Sequence, residues 1–389
     1  MSAFQARINT GESLERGRIG SASYSLFRTA SGFDELHLVV HPGIADLSRC
    51  LTAIAADRKA CLERIGNPDA FPFMTRMHAG PGVFRSEAFL ASGFPLPASV
   101  SLVDQAPLDG SAVVLYAWYL IPHSGVPVAE GPGTMIRTAN YDFHYSGGLT
   151  ALGPDISVQT AGVFSAYREM LRVHGIPFPG GFIRSWIYVR DIDHCYTGMV
   201  EARKAFFFAN GLSAQGPFPA STGIGSANDG ADLIHVDFLS IGRLAAGQVR
   251  PMECLDVMPA ARSYGVTFER GLCLEFGDRN QIQISGTASI DCNGRVVHEG
   301  DPAEQTRRTI RNLDGLLATR NATRDDLTHL NVYLRSAEVA ETVRRILDVE
   351  FGPAVPYLIL HGPVCRPGWL VEIDGTALKS AQNDWPDLI

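Results

Sequence analysis

Hydrophobic and polar positions in this chain follow two periods, and one arrangement of them occurs twice. Residues 155–190 and 301–335 share a grammar: an acid, a Gln-Thr pair, a helix-period stretch, a loop and a short strand-period run. In the first copy Gln159-Thr160 precedes Val163, Phe164, Tyr167 and Leu171. In the second, Gln305-Thr306 precedes Ile310, Leu313, Leu316 and Leu317. Spacings of three and four put each set on one helix face. The runs that follow, Ser185-Trp186-Ile187-Tyr188-Val189-Arg190 and Leu330-Asn331-Val332-Tyr333-Leu334-Arg335, align tyrosine with tyrosine and arginine with arginine. A second helix follows each, over 199–208 and 339–351. Two strands close each copy, at 219–224 and 233–241 and at 355–361 and 370–378. This order predicts an α+β unit, a sheet with helices packed on one face.

The first third reads as a worn third copy: strand at 36–40, helix at 47–64, strand at 71–77, and closing strands at 99–103 and 112–119, with a weak second helix. The predicted organisation is therefore a degenerate unit over 1–130, a diverged unit over 131–245 and a carboxy-terminal unit over 255–389. Gly- and Pro-rich segments at 122–133 and 177–181, and a polar stretch at 226–230, mark turns at the seams. None joins a strand to a helix with the spacing of a phosphate cradle.

Composition narrows the function classes. With 389 residues, 46% hydrophobic and 19% charged, the chain has ample material for a globular core. No apolar run approaches the ~18 residues of a membrane span. The start, Met1-Ser2-Ala3-Phe4-Gln5-Ala6-Arg7, lacks the basic-then-apolar layout of a signal peptide, which predicts a cytoplasmic protein with free thiols. The seven cysteines form no CxxC pair and none has histidine at a metal-finger spacing, so no metal site is predicted. A net charge of −8 without basic clusters argues against a nucleic-acid surface. There is no GxGxxG, P-loop or GxSxG, and no cofactor is expected. The expected partner is a small-molecule substrate.

The candidate chemistry centres on the strand Trp369-Leu370-Val371-Glu372-Ile373-Asp374-Gly375. A carboxyl among Leu, Val and Ile is desolvated, which raises its pKa and makes it a proton carrier near neutrality; the competing reading is a structural pair with a buried arginine. Cys365, seven residues earlier beside Arg366, is either a catalytic thiol or buried packing. His235 and Asp237 occupy the same strand of the other copy, as a second titrating site or as satisfied core groups.

Several motifs in order, Ala261-Arg262-Ser263-Tyr264-Gly265, Ile284-Ser285-Gly286-Thr287-Ala288-Ser289-Ile290, Gly300-Asp301, Gln305-Thr306, Val332-Tyr333-Leu334 and the Cys365 to Glu372 strand, resemble the RidA (YjgF) superfamily over 261–380. The resemblance implies repeated RidA-like units. Because RidA proteins are trimers with sites between subunits, it also implies a homotrimer or a monomer with internal pseudo-threefold symmetry. From Ser101-Leu102-Val103-Asp104 through Pro219-Ala220-Ser221-Thr222-Gly223-Ile224-Gly225 to the end, the chain looks like the chorismatase group. That likeness makes Glu372 the catalytic acid, and Gly286 and Cys365 match the members that form 3-hydroxybenzoate.

Two departures stand out. Imine deaminases of the superfamily carry a carboxylate-binding arginine where this chain has Tyr357, which disfavours imine hydrolysis. Chorismatases carry Arg-Thr-Trp-Asn-Tyr and then Gly-Arg, where this chain has Arg184-Ser185-Trp186-Ile187-Tyr188 and Ala202-Arg203. The lost polar group points to a changed substrate. The resulting expectation is a cofactor-free enzyme of aromatic natural-product biosynthesis, a carbazole-type cyclase that begins by deprotonating a conjugated precursor. The alternatives are a chorismatase yielding 3-hydroxybenzoate and pyruvate, and a non-catalytic ligand-binding protein. Glu372 and Cys365 are the expected catalytic pair. Arg184, Arg203, Tyr264, Arg270, Gly286, Tyr357 and His361 are the expected substrate-binding set.

Overall fold

A computed structural model of the chain describes residues 14–30, 32–97, 100–123, 133–213, 216–228, 232–261, 265–352 and 355–389. The first seven residues, most of the 122–133 seam, the end of the 226–230 stretch, and Arg262 and Tyr264 lie outside the described residues.

The first unit runs β1 (Leu14–Ile19), β2 (Ala22–Phe27), β3 (Phe33–Val40), α1 (Leu47–Arg64), β4 (Met74–Ala79), α2 (Glu87–Ala91), β5 (Val100–Val103) and β6 (Val113–Pro122). The second runs β7 (Thr134–Arg137), β8 (Asp142–Leu149), α3 (Ile156–His174), the short α4 (Phe178–Gly181), β9 (Phe182–Val189), α5 (Ile192–Ala209), β10 (Ala220–Gly225) and β11 (Ile234–Gly242). The third runs β12 (Val249–Met252), β13 (Gly271–Glu275), β14 (Arg279–Ala288), α6 (Pro302–Ala318), β15 (Leu327–Leu334), α7 (Ala340–Phe351), β16 (Tyr357–His361) and β17 (Val371–Ser380). Their sheets are ordered β1-β2-β3-β6-β4-β5, β10-β9-β11-β8-β7 and β12-β13-β14-β17-β15-β16. In each, one pair is parallel (β4 with β5, β9 with β10, β15 with β16) and the other pairs are antiparallel. The fold is thus the expected α+β architecture of repeated RidA-like units. The first unit has a complete sheet, and its second helix shrinks to the five residues of α2.

The repeated acid and Gln-Thr pair have a common physical job. Asp155 and Asp301 are N-caps, accepting from Val158 N, and from Ala303 N and Glu304 N. Thr160 and Thr306 bond back to the carbonyls of Ile156 and Pro302, both at 2.6 Å. Gln159 Oε1 accepts from Leu233 N and Gln305 Oε1 from Leu370 N, each at 2.8 Å. One side chain therefore ties the first turn of the helix to the entry of the last strand in both copies. In the third unit the tied residue lies two positions before Glu372.

The three sheets face one another across a shared core that includes Val39, Tyr116 and Trp118, Trp186 and Tyr188, and Ile282, Ile284 and Tyr333. Helices lie outside, over separate clusters around Ile54 and Leu62 in the first unit and Phe164 and Phe207 in the second. Fully buried ion pairs join the units in a cycle: Arg76 Nε to Asp237 at 2.8 Å, Arg184 Nη2 to Asp374 at 3.3 Å, and Arg279 Nη1 to Glu35 at 2.8 Å. Burial opposes the Asp237 charge, but the Arg76 guanidinium together with His235 and Ser101 outweighs it and holds the carboxyl below its usual range. Loss of one partner from such a pair strands the other charge, so the cycle ties the three units into one arrangement. Strands β16 and β14 of the third unit have different neighbours. Leu108 N and Ala106 O of the first unit bond Ile359 O and His361 N on β16. Ser221 N of the second unit bonds Ser285 Oγ on β14.

Candidate active site

Between the second and third units lies a cavity of about 250 Å³. From the second unit, α5 contributes Tyr196, Met199 and Arg203, and β10 contributes Ser221 and Gly223. From the third come Val266, Phe268 and Arg270 ahead of β13, Gly286 and Ala288 of β14, Cys365, Arg366 and Trp369 of the β16–β17 loop, and Glu372 of β17.

Glu372 pairs with Tyr333 on one side and Ala288 on the other. The β14–β17 register breaks between Ile284 and Thr287, a bulge that holds Gly286. A Cβ at Gly286 would fall on the Glu372 carboxyl, so the glycine makes room for the acid as well as opening the wall. With Glu372 only 5% exposed, burial pushes its carboxyl up to about 8; Asp374 adds to the rise and Arg270 opposes it. Asp374 is fixed behind it. Thr222 Oγ1 donates to its Oδ2 at 2.7 Å, Asn331 Nδ2 to its Oδ1 at 2.9 Å, and Tyr333 OH to Oδ2 at 3.2 Å.

The positive groups are held rather than free. Arg203 Nε donates to Thr267 Oγ1 and Nη1 to Ser221 Oγ, both at 3.2 Å. Arg270 Nε donates to Pro259 O at 3.3 Å. Arg366 lies 4.6 Å over the Trp369 ring, whose Nε1 donates to Ser289 O at 2.8 Å. The Cys365 thiol is pushed up to about 12 by burial and by Glu372, with a hydrogen bond from Tyr196 opposing the rise. It remains S–H at neutral pH, which removes it as a ready nucleophile. The arrangement presents a protonated acid among three guanidinium groups, suited to giving a proton to an anionic substrate.

Of the expected site residues, Glu372, Cys365, Arg203, Arg270 and Gly286 meet at this cavity. Arg184 does not line it: fully buried, it donates to Ile284 O at 2.6 Å and Thr222 Oγ1 at 3.1 Å and pairs with Asp374, a place behind the acid. Tyr357 and His361 sit on β16, across the sheet and against the first unit, with the Tyr357 hydroxyl donating to Asp348. Tyr264 lies outside the described residues. Ile187 is buried in the core under the helices, and neither it nor Ala202 lines the cavity, so the lost asparagine and glycine do not alter this wall. His235 faces Tyr188 as Glu372 faces Tyr333, and its Nε2 lies 3.0 Å from Ser101 Oγ in a core contact. Tyr196, Met199, Arg366 and Trp369 line the cavity and were not among the expected site residues. The spacing of 196, 199 and 203 on one helix face was the available signal for the first two.

Known proteins resemble the chain in sequence and in fold. The family model described as Endoribonuclease L-PSP matches residues 275–379. A chorismatase of Streptomyces rapamycinicus is 29% identical over 276 residues, covering 65% of this chain and 77% of the relative. A chorismatase of Streptomyces hygroscopicus is 28% identical over 302 residues, covering 71% of this chain and 85% of the relative. A 3-hydroxybenzoate synthase of the latter organism is 25% identical over 214 residues, covering 50% of this chain and 63% of that protein. A chorismatase crystal structure superposes with a TM-score of 0.63 at 22% identity over 80% of this chain and 96% of that one, a likeness of fold. The chain is thus similar to the Endoribonuclease L-PSP (RidA, YjgF) family over residues 275–379 and to chorismatases over most of its length, and it shares the chorismatase fold.

Proposed function

We propose that the chain is a chorismatase-type enzyme that splits chorismate into 3-hydroxybenzoate and pyruvate, with Glu372 as general acid. The observation that carries the reading is the Glu372 carboxyl, buried and raised to about 8, in a cavity that also receives Arg203, Arg270 and Arg366. Chorismate carries two carboxylates and an enol ether. The guanidinium groups match the former, and a neutral carboxylic acid is the form needed to protonate the methylene carbon of the latter. Protonation makes the ether carbon electrophilic, water adds there, the hemiketal C–O bond breaks to release pyruvate, and the Glu372 carboxylate recovers a proton as the ring loses water and aromatises. Hydration at the ether carbon and dehydration of the ring cancel, so the two products sum to the substrate and no co-reactant is consumed. The relatives support this reading over the deprotonation-first cyclisation expected from the sequence.

One observation keeps the cyclase reading alive. Met199, Val266, Phe268, Ala288 and Ile290 give the cavity an apolar wall suited to a less charged, conjugated substrate. Incubation with chorismate separates the two. Release of pyruvate with 3-hydroxybenzoate, absent in Glu372→Gln, is the expected result. No pyruvate above that variant's background would overturn the chorismatase reading.

A further inference from the structure

The arginines that end the two aligned tyrosine strands take no part in the steps above. Their backbone groups occupy the same place in each copy, Arg190 N donating to Leu233 O at 2.9 Å and Arg335 N to Leu370 O at 3.0 Å. The Arg335 side chain reaches both walls of the cavity. Its Nη1 and Nη2 donate as a fork to the Asp193 carboxylate, at 2.9 and 3.0 Å, on the first turn of α5. Its Nε donates to Trp369 O at 3.2 Å and its Nη2 to Val364 O, the carbonyls on either side of residues 365–368. The elements so joined carry positive charge to the cavity: Arg203 lies on the same side of α5 as Asp193, and the clipped loop carries Arg366. Glu372 is held by other means. Its strand β17 lies between β14 and β15, and Asp374 behind it is fixed by Thr222, Asn331 and Tyr333.

We propose that Arg335 is a positioning residue for substrate binding: it fixes the loop that carries Arg366 against the helix that carries Arg203, and so sets the spacing of the guanidinium groups that receive the substrate's carboxylates. The identity of that substrate rests on the chorismatase reading. Two long side chains from different units keep a fixed spacing only if the elements beneath them are tied. A planar fork that serves a carboxylate and two carbonyls at once ties them with one residue. The Arg335 side chain is 17% exposed and that of Asp193 42%, so the ion pair itself adds little to global stability, and its loss is read at the cavity.

Arg335→Met deletes the fork and keeps much of the stem. With chorismate as substrate, KM should rise at least about fivefold, out of the roughly ten- to hundredfold that one charge-assisted contact contributes, while kcat stays within about threefold. A smaller rise, or a loss carried mainly by kcat, would overturn the proposal. Arg335→Lys keeps the charge on a single ammonium that cannot serve all three partners, so its KM should rise as well, and a parental KM would count against the fork. Asp193→Asn turns one accepting oxygen into a donor facing Arg335. It should raise KM alone and add nothing to Arg335→Met, whereas additive losses would show that Asp193 acts by another route. Hydrogen exchange followed by mass spectrometry is independent of turnover. In Arg335→Met the segments 192–200 and 363–370 should exchange faster than in the parent while 371–380 on β17 keep their protection. Unchanged exchange at either segment would sink the idea, as would faster exchange across β17, which marks a general support of the fold. If the parent enzyme leaves chorismate intact, the chorismatase reading falls, and the exchange rates still decide whether Arg335 joins the two walls.

Discussion

A Glu372 carboxyl displaced from 4.5 to about 8 makes the reaction's pH dependence a direct test of whether the protonated form does the work. At that value about nine-tenths of the protein carries the proton at pH 7 and about one-tenth at pH 9. If the acid form protonates the substrate, kcat/KM is flat below pH 7 and falls about tenfold between pH 7 and pH 9. Initial rates of pyruvate release at constant ionic strength measure this, with the coupling enzyme in excess at each pH. A profile that rises through the same interval would assign the work to the carboxylate and refute the acid role. Glu372→Gln keeps the shape but cannot give and recover a proton, so turnover should fall by ~10²–10⁴-fold. Retention of more than about a tenth of the parental rate would end the argument.

The same displacement has a thermodynamic counterpart of fixed sign. Between 4.5 and about 8 the folded chain holds a proton that the unfolded chain has lost, so this group's contribution to stability is full below pH 4.5 and declines as pH rises towards 8. At about 1.4 kcal/mol per tenfold change the whole interval amounts to about 5 kcal/mol. Glu372→Gln lacks this titration. Urea unfolding at pH 5 and pH 8.5 should therefore show the parent losing several kcal/mol relative to the variant, and parallel behaviour of the two would remove burial as the cause of the displacement.

Two further substitutions probe the supports of the acid. Gly286→Ala places a methyl where the Glu372 carboxyl lies, and because that neighbour is the end of a side chain it moves aside, so the variant should fold with a near-parental melting midpoint and lose at least about tenfold in kcat. Asp374→Asn removes the charge facing Arg184 and the charge that helps raise Glu372. It should cost about 3–5 kcal/mol in denaturant unfolding and move the alkaline fall of kcat/KM to lower pH, whereas an unmoved limb would show that burial alone sets the Glu372 value.

The repeat was legible because the elements that carry it follow from local rules. Helix-period stripes gave α3 and α6, and the aligned tyrosines fall on β9 and β15, each between a parallel neighbour and the antiparallel last strand. The amino-terminal hairpin of β1 and β2 and the added strands β12 and β13 were not read. They lie at or next to sheet edges, where one strand neighbour suffices and the apolar pattern weakens. Glu372, Cys365 and Gly286 were legible as a local strand and its motifs. His361 was misplaced because nearness to Cys365 along the chain stood in for nearness in space, and Tyr357 because it holds the position of the deaminases' carboxylate-binding arginine. In a sheet ordered β14-β17-β15-β16, the strand just before Cys365 in sequence is two strands away from β17, on the side opposite β14.

Arg184 was misread for a different reason, and it shows what joining the units in one chain permits. Period two on β9 puts Arg184, Trp186 and Tyr188 on one face, with the Arg184 guanidinium 4.6 Å over the Trp186 ring. That face looks into the shared core, so its arginine serves the acid through Asp374 instead of meeting a ligand. The second unit repeats the device one cleft away: Arg76 of the first unit holds Asp237, and two residues earlier on that strand, where the third unit has Glu372, stands His235 bonded to Ser101. In a trimer of identical subunits every cleft would carry the same residues. In this single chain the supporting ion pair persists between the first and second units, while His235 stands where the third unit has Glu372. The buried pair answers to folding, which every cleft needs, and on the proposed function the acid answers to chemistry, which one cleft can supply.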